Sequence, residues 1–214
     1  MFDLPKSTEI RKPIHKKVLY EKFPKELSGD KRRRFDEDIG KIIITNEISE
    51  NSVNVEATKE ISSIFIVLVE LKSKEYNDKN IILVSQLFGQ KLILALHYND
   101  EFQLAVYESH LLKSEWKKED EISISLNGLD LSNIWNNLVR YVAGIDFSYE
   151  KTLAEQIEIE AKKEKLMICI RDLEIKANKE IQSKKKFEIH QQILENKKEL
   201  EKLEKPEKTE ELDG

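Results

Sequence analysis

The stretch Ile64-Phe65-Ile66-Val67-Leu68-Val69 is the longest uninterrupted apolar run in the chain. Its β-branched and aromatic content predicts a central strand buried on both faces. The pattern around it changes period several times. Val53 and Val55 alternate with polar residues and predict a half-buried strand. Ile81, Ile82, Val84, Leu87 and Phe88 predict an amphipathic helix over 78–88, with Gly89 as its stop. Lys91 to Tyr98 and Phe102 to Tyr107 read as two strands of a hairpin joined through Asn99-Asp100-Glu101. Ile122, Ile124 and Leu126 alternate as one more short strand. Ile134, Leu138 and Val142 then mark the inner face of a helix over 131–142, with Trp135 as core packing and Ala143-Gly144 as the end.

The first 46 residues read as a helical segment. Pro5, Pro13 and Pro24 keep its helices short. One helix is expected after Pro13 with Ile14, Val18 and Leu19 on a face, and a second from Ser28 to Ile44. After Tyr149 glycine vanishes until Gly214, and aromatics nearly so. Leu153, Ile157, Ala161, Leu166, Ile170, Leu173, Ala177 and Ile181 step by three and four, with a phase slip near Glu164. Phe187, His190, Leu194, Leu200 and Leu203 form a second stripe. Both predict a coiled-coil-like antiparallel hairpin, or one long interrupted helix. The expected fold is therefore α+β: a small mixed sheet with packed helices, followed by a C-terminal helical hairpin. Its expected parts are 1–46, a sheet core over 47–148, a hairpin over 149–205 and a disordered tail over 206–214.

Composition narrows the function classes. Charged residues make up 36% of the 214, yet the net charge is only −5, which argues against an obligate polyanion binder. The lone Cys169 excludes an internal disulfide and points to a reducing, cytoplasmic setting. It lies in an apolar helical stretch and reads as a buried, inert thiol. His15, His97, His110 and His190 have no ligand-type partner at helical spacing, so no metal site is expected. The opening residues lack the apolar run of a signal peptide, and no run approaches the ~20 residues of a membrane span.

Certain residues carry a resemblance. Leu4-Pro5, Thr8, Ile14, Lys17 and Tyr20 open the chain, and Val69-Glu70-Leu71-Lys72 ends the central strand. Glu115-Trp116, Leu126-Asn127-Gly128-Leu129-Asp130-Leu131, Leu138-Val139-Arg140, Ala143-Gly144 and Lys185-Lys186-Phe187-Glu188 follow in order. This succession resembles the bacterial family known as domain of unknown function 4391. The family pattern places an acidic residue on the central helix and Ile-Pro before the next strand; this chain has Ser85-Gln86-Leu87-Phe88-Gly89-Gln90. The resemblance implies a setting beside helicase and DNA-methyltransferase genes in restriction or phage-defence loci. It brings no activity with it.

Two clusters carry candidate chemistry. Glu56 with Glu70, Lys72 and Gln86 is the pattern of a Mg-dependent, restriction-endonuclease-like nuclease. There, two carboxylates hold the ion and the lysine positions the attacking water. Strand alternation would put Glu70 and Lys72 on one face. Against this, Glu-x-Lys is common in so charged a chain, and residues 41–149 hold ten Lys or Arg against sixteen Asp or Glu, a poor bed for DNA. The run Lys31-Arg32-Arg33-Arg34 is a candidate nucleic-acid contact, although such runs are usually solvated faces. The favoured expectation is a non-enzymatic accessory or interaction subunit without a cofactor. Its expected partner is a protein, a helicase or methyltransferase, with homo-oligomerisation through the hairpin as a further expectation. The alternative is the Mg-dependent nuclease.

Overall fold

The computed structural model describes residues 1–146 and 151–204. The chain divides into two compact units, 1–147 and 148–214. Among the described residues the first unit carries seven strands in one mixed sheet and the second a pair of long helices. The architecture is α+β.

The sheet grows outward from β3 (Ser63–Leu71), which contains the long apolar run, and β4 (Lys91–Tyr98). These two pair in parallel, from Ile64 opposite Lys91 to Glu70 opposite His97. A parallel pair needs a crossover, and α4 (Asp78–Ser85) supplies it. On one side β2 (Ile39–Ser49) pairs antiparallel with β3, and β1 (Glu9–Ile14) with β2. On the other side β5 (Glu101–Tyr107) returns antiparallel to β4, and β6 (Leu111–Lys113) and β7 (Lys117–Lys118) both pair with β5. The hairpin from β4 to β5 closes on Asn99 and Asp100 alone, with Tyr98 opposite Glu101. Asn99 has φ 54°, a left-handed conformation that asparagine tolerates better than most residues.

Both faces of β3 and β4 are covered. Val67, Val69, Leu71, Leu92, Leu94 and Leu96 pack with Leu19, Phe35, Ile81 and Val84. Those four come from α1 (Lys16–Lys22), α2 (Gly29–Asp38) and α4. The alternate residues Ile64, Ile66, Ile93 and Ala95 are also fully buried. Helix α5 (Leu131–Ala143) contacts β3, β5 and β6 and buries Ile134, Trp135, Leu138 and Val142. Its capping is complete. The Asp130 carboxylate accepts from the Asn133 amide at 2.7 Å, and Gly144 ends the helix at φ 64°. The Trp135 indole donates to Glu108 at 2.7 Å, so the buried ring keeps a polar partner.

Four expectations are corrected. The helix expected over Ser28 to Ile44 ends at Asp38, and the chain continues as β2 from Ile39. The β-branched run Ile42-Ile43-Ile44 fits a pleated sheet beside β3 better than a helix surface. Residues 1–46 thus hold β1 and most of β2 as well as α1 and α2. Val53 ends the short helix α3 (Glu50–Val53), which Asn54 terminates at φ 55°, so the Val53/Val55 alternation is not a strand. Residues 122–127 form no strand. Ile122 and Ile124 are buried, but the Ile124 amide donates to the Phe2 carbonyl, outside the sheet ladder. Helix α4 ends at Ser85, and Gly89 sits beyond it in the turn leading to β4.

The second unit pairs α6 (Leu153–Lys179) with α7 (Ser183–Glu204). Thr152 and Glu155 form a capping box, the Thr152 amide donating to the Glu155 carboxylate at 2.7 Å. The contact buries Ile170, Ala177 and Ile193, with Leu173, Ile189 and Leu200 around them. Leu153, Gln156, Ile157, Glu160 and Ala161 are shielded near the start of α6; further shielded or half-shielded positions are Ile159, Lys163, Leu166, Ile170, Leu173 and Ala177 on α6, and Ile189, Ile193, Asn196, Leu200 and Leu203 on α7. Both sets follow the 3–4 spacing of a coiled-coil seam. Leu166, Ile170 and Leu173 lie where the pattern puts them. Leu194 does not: it is 57% exposed and Phe187 64%, because the first half of the inner stripe of α7 runs through Ile189 and Ile193, one residue before the expected His190 and Leu194, while Leu200 and Leu203 lie in the seam as expected. Cys169 is exposed as well, and its sulfur accepts from Asn196 Nδ2 at 3.4 Å. The tail expected over 206–214 lies outside the described residues.

Two expected stability effects follow. Ile193→Ala should cost about 2–4 kcal/mol of hairpin stability as a core truncation, while Leu194→Ala should stay within about 0.5 kcal/mol as a surface change. Thermal unfolding of both variants followed by circular dichroism tests the phase, and equal losses would overturn it. In the first unit, a Cβ on Gly128 would meet the Ile134 nitrogen at 2.8 Å and its Cγ1 at 2.9 Å. Gly128→Ala should therefore cost about 1–3 kcal/mol through overpacking where α5 begins, read as a lower urea midpoint.

Candidate functional site

The acid-x-Lys strand end is where β3 leaves the sheet. Glu70 is the penultimate residue of β3, and its carboxylate lies 3.6 Å from Lys41 Nζ. Gly40 packs against this strand end, since a Cβ there would sit 3.1 Å from the Glu70 carbonyl oxygen. Glu70 lines a concavity of about 590 Å³ together with Glu9, Arg11, Thr45, His97 and Glu119. His97 stacks on Phe102 with ring centroids 4.5 Å apart.

Lys72 goes elsewhere. β3 ends at Leu71, so strand alternation no longer directs the next side chain. The Lys72 amide donates to the Asp38 carbonyl at 2.9 Å, and its Nζ donates to the Asp36 carbonyl at 2.6 Å. Both acceptors belong to α2, which packs on the opposite layer from the alternate residues Ile64 and Ile66 that share the parity of Glu70. The expectation that Glu70 and Lys72 share one face is corrected by this capping role.

Glu56 lies outside the strands of the sheet. It is exposed, bridges Asp130 and accepts the Leu131 amide through its backbone oxygen, and it belongs to the loop between α3 and β3. From Ser63 to Glu70, β3 itself spans roughly 23 Å at the usual strand rise. Gln86 ends α4, and its carbonyl accepts Lys22 Nζ at 2.9 Å. Among the described residues no group of three His, Cys, Asp or Glu side chains is placed to hold a metal ion.

The basic run on α2 splits by helix geometry. Arg33 pairs with Asp30 at 3.4 Å and Glu37 at 3.7 Å on its own helix. The Arg32 guanidinium lies 3.9 Å from the centre of the Tyr20 ring. Lys31 and Arg34 instead face a groove of about 400 Å³ shared with Glu26, Asn77, Lys79 and Asn80. Cations in a first helical turn oppose the helix dipole, and Asp30 beside them offsets part of that cost.

Below the run lies a polar node that the sequence pattern does not reveal. The Asp36 carboxylate accepts Tyr20 OH at 2.5 Å and Lys16 Nζ at 2.9 Å, while Lys16 also donates to the Ile39 carbonyl. Burial raises the Asp36 pKa, but the hydrogen bonds from Tyr20 and Lys16 and the nearby cations outweigh it and hold it below the ordinary value. Burial, reinforced by the Asp36 charge, pushes Tyr20 up to about 12. Two residues on, Asp38 accepts the Asn77 amide at 2.9 Å and Asn80 Nδ2 at 2.7 Å, tying α2 to the start of α4. Neither contact could be read from spacing, because each joins residues 16 to 42 apart.

A strand, helix, parallel-strand unit inside a mixed sheet, with helices on both faces and a separate helical hairpin, defines an α+β protein carrying a coiled-coil appendage. The family model described as Domain of unknown function (DUF4391) matches residues 2–200, and the chain belongs to that family. No curated protein and no solved structure matches it. Among the described residues no helix is long and apolar enough to cross a membrane.

The node makes stability pH-dependent at both extremes. The depressed Asp36 pKa contributes stability that is present above its unfolded value near 3.8 and is lost as pH falls through the lower folded value. The raised Tyr20 pKa contributes stability that is complete below pH 10 and is lost between there and about 12. Tyr20→Phe should cost about 1 kcal/mol at neutral pH. It should also shallow the alkaline loss, leaving the part due to Tyr76, whose pKa burial also raises. Urea midpoints from pH 3 to 11.5 measure this, and an unchanged alkaline slope would count against the node.

Proposed function

We propose that this protein is a non-catalytic accessory subunit that works by binding another protein, a helicase or DNA methyltransferase of a restriction or phage-defence system. The observation carrying this reading is the outer surface of the hairpin. Phe187 and Leu194 are seven residues apart on one side of α7, outside the seam, and each exposes more than half of its surface. Large apolar side chains repeated on a helix face outside its own seam are what a partner helix or groove covers. Two of the candidate catalytic side chains support the same reading from the other direction: Lys72 caps α2 and Glu70 pairs with Lys41. The family setting supplies the class of partner.

A second reading keeps one observation in its favour. The order α2, β2, β3 with Glu70, α4 and parallel β4 matches what a restriction-endonuclease-like nuclease needs. Under it Glu70 and Lys72 would act with Mg²⁺ on DNA.

Both readings are tested with purified full-length chain. Titration against a helicase subunit or a DNA-methyltransferase subunit of a restriction system from the same host is expected to give a complex. Phe187→Asp with Leu194→Asp should weaken that complex at least tenfold, while unfolding midpoints stay unchanged. Retained affinity in this variant would remove the hairpin from the interface. Incubation of DNA with protein and Mg²⁺ is expected to leave the DNA intact, with or without the partner. Cleavage that disappears in Glu70→Ala would replace the accessory reading with the nuclease.

A further inference from the structure

We infer that the outer face of α6 is a self-association surface, on which two copies of this chain pack antiparallel about a two-fold axis at Ile168. Ile168 and Ile175 are 51% and 48% exposed. They are seven residues apart on the side of α6 directly opposite the seam, because Leu166, Ile170, Leu173 and Ala177 fill the seam positions. Half-buried Ala161 lies one heptad earlier on the same line. Ile168 and Ile175 lie outside the hairpin seam, and branched apolar side chains at spacing seven are what a second helix takes up.

The flanking charges select the partner. Glu164 and Arg171 lie on one side of the line, and Lys165 and Asp172 on the other. All four are exposed, and none of their side chains forms an ion pair or hydrogen bond among the described residues. Their near neighbours do: Lys162 pairs with Glu199, Lys163 with Glu160, and Glu174 with Lys197. Antiparallel packing centred on Ile168 keeps each side of the line against the same side of the other copy and reverses the direction along it. Glu164 then meets Arg171 of the other copy, Lys165 meets Asp172, and both contacts occur twice. Each of the four unpaired charges gains an opposite partner, so the face is complementary to itself, as a two-fold interface must be.

The apolar line sets the direction. Antiparallel packing places Ala161 opposite Ile175, a small residue against a large one. Parallel packing would set Ala161 against Ala161 and Ile175 against Ile175, leaving a gap at one level and a bulge at the other. Helix dipoles also favour the antiparallel arrangement. The contact is one helix face wide, at the small end of stable interfaces, so the association is expected to depend on concentration.

The inference rests on the reading of this protein as an interaction subunit, and its test needs no partner. Light scattering coupled to size exclusion, across a hundredfold range of loading concentration, should show a mass rising from 25.1 kDa toward twice that value. Glu164→Lys and Arg171→Glu should each hold the protein at monomer mass while leaving its helical circular dichroism unchanged. The double variant Glu164→Lys/Arg171→Glu should restore the dimer, because the exchanged pair meets itself across the axis. In a parallel dimer the same double variant would place the introduced lysine against Lys165 of the other copy and stay monomeric, which overturns the proposed packing. A wild-type monomer at every concentration, or a dimer indifferent to the single variants, overturns the face itself. Loss of the dimer with partner capture intact would leave the accessory reading standing. Failure of capture with the dimer intact would leave the self-association standing.

Discussion

The parallel pairing of β3 with β4 is the constraint from which the rest of the first unit follows. Two adjacent strands with both faces apolar cannot meet water on either side, and their backbone groups need partners along both edges. The edges are met by β2 and β5, each antiparallel to its neighbour. The faces are met by α1, α2 and α4 on one layer and α5 on the other. The short N-terminal helices, which have little amphipathic pattern of their own, are held because β3 and β4 require a cover. That dependence explains why Phe35, Leu19 and Ile81 are fully buried although their helices span only 7 to 10 residues, lengths that are marginal in isolation.

The elements legible in the sequence are those whose local pattern and tertiary role coincide. β3, β4, β5 and α5 are readable because each carries an unbroken apolar pattern and a clear terminator, and α6 is readable by its length although its stripe slips phase near Glu164. The pattern misleads where a local signal is overruled. Phe35, Ile39, Ile42 and Ile43 recur at helical spacing, yet the pairing of Ile42, Ile43 and Ile44 with Val69, Leu68 and Val67 outweighs that spacing. Ile122 and Ile124 alternate correctly for a strand, but the ladder they would join is already filled by β6 and β7 on β5. The candidate site is half legible. The position of Glu70 at a strand end can be read, whereas the exit of Lys72 toward α2 depends on where β3 stops, which no spacing encodes.

The hairpin shows why phase is harder to read than period. Seven-residue spacing occurs twice on α7: in Ile189-Asn196-Leu203 with Ile193 and Leu200, and in Phe187-Leu194. The first set wins the seam although it contains Asn196, because it supplies five inward positions against two. The cost of an amide in the seam is reduced by its bond to the Cys169 sulfur. A single polar residue at a seam position also discourages alternative registers, in which it would be buried without a partner. Lys163 acts similarly on α6, staying half-exposed and reaching Glu160 at 2.6 Å. The losing stripe remains in solvent with its apolar character intact, which makes the hairpin a surface with more apolar residues than it uses itself.

Charges that are used differ in the same way from charges that are free. On α2, four consecutive cations look like one patch in the sequence. In the fold Arg33 is satisfied on its own helix and Arg32 is stacked on Tyr20, which leaves Lys31 and Arg34 at the groove. On α6, Lys162 and Lys163 have partners within the hairpin, while Glu164, Lys165, Arg171 and Asp172 have none among the described residues. Exposed ion pairs contribute little to stability, so selection for the fold alone places few demands on these four positions. Their arrangement in opposite-signed pairs equally spaced about Ile168 is therefore better explained by what lies outside the hairpin than by what lies within it.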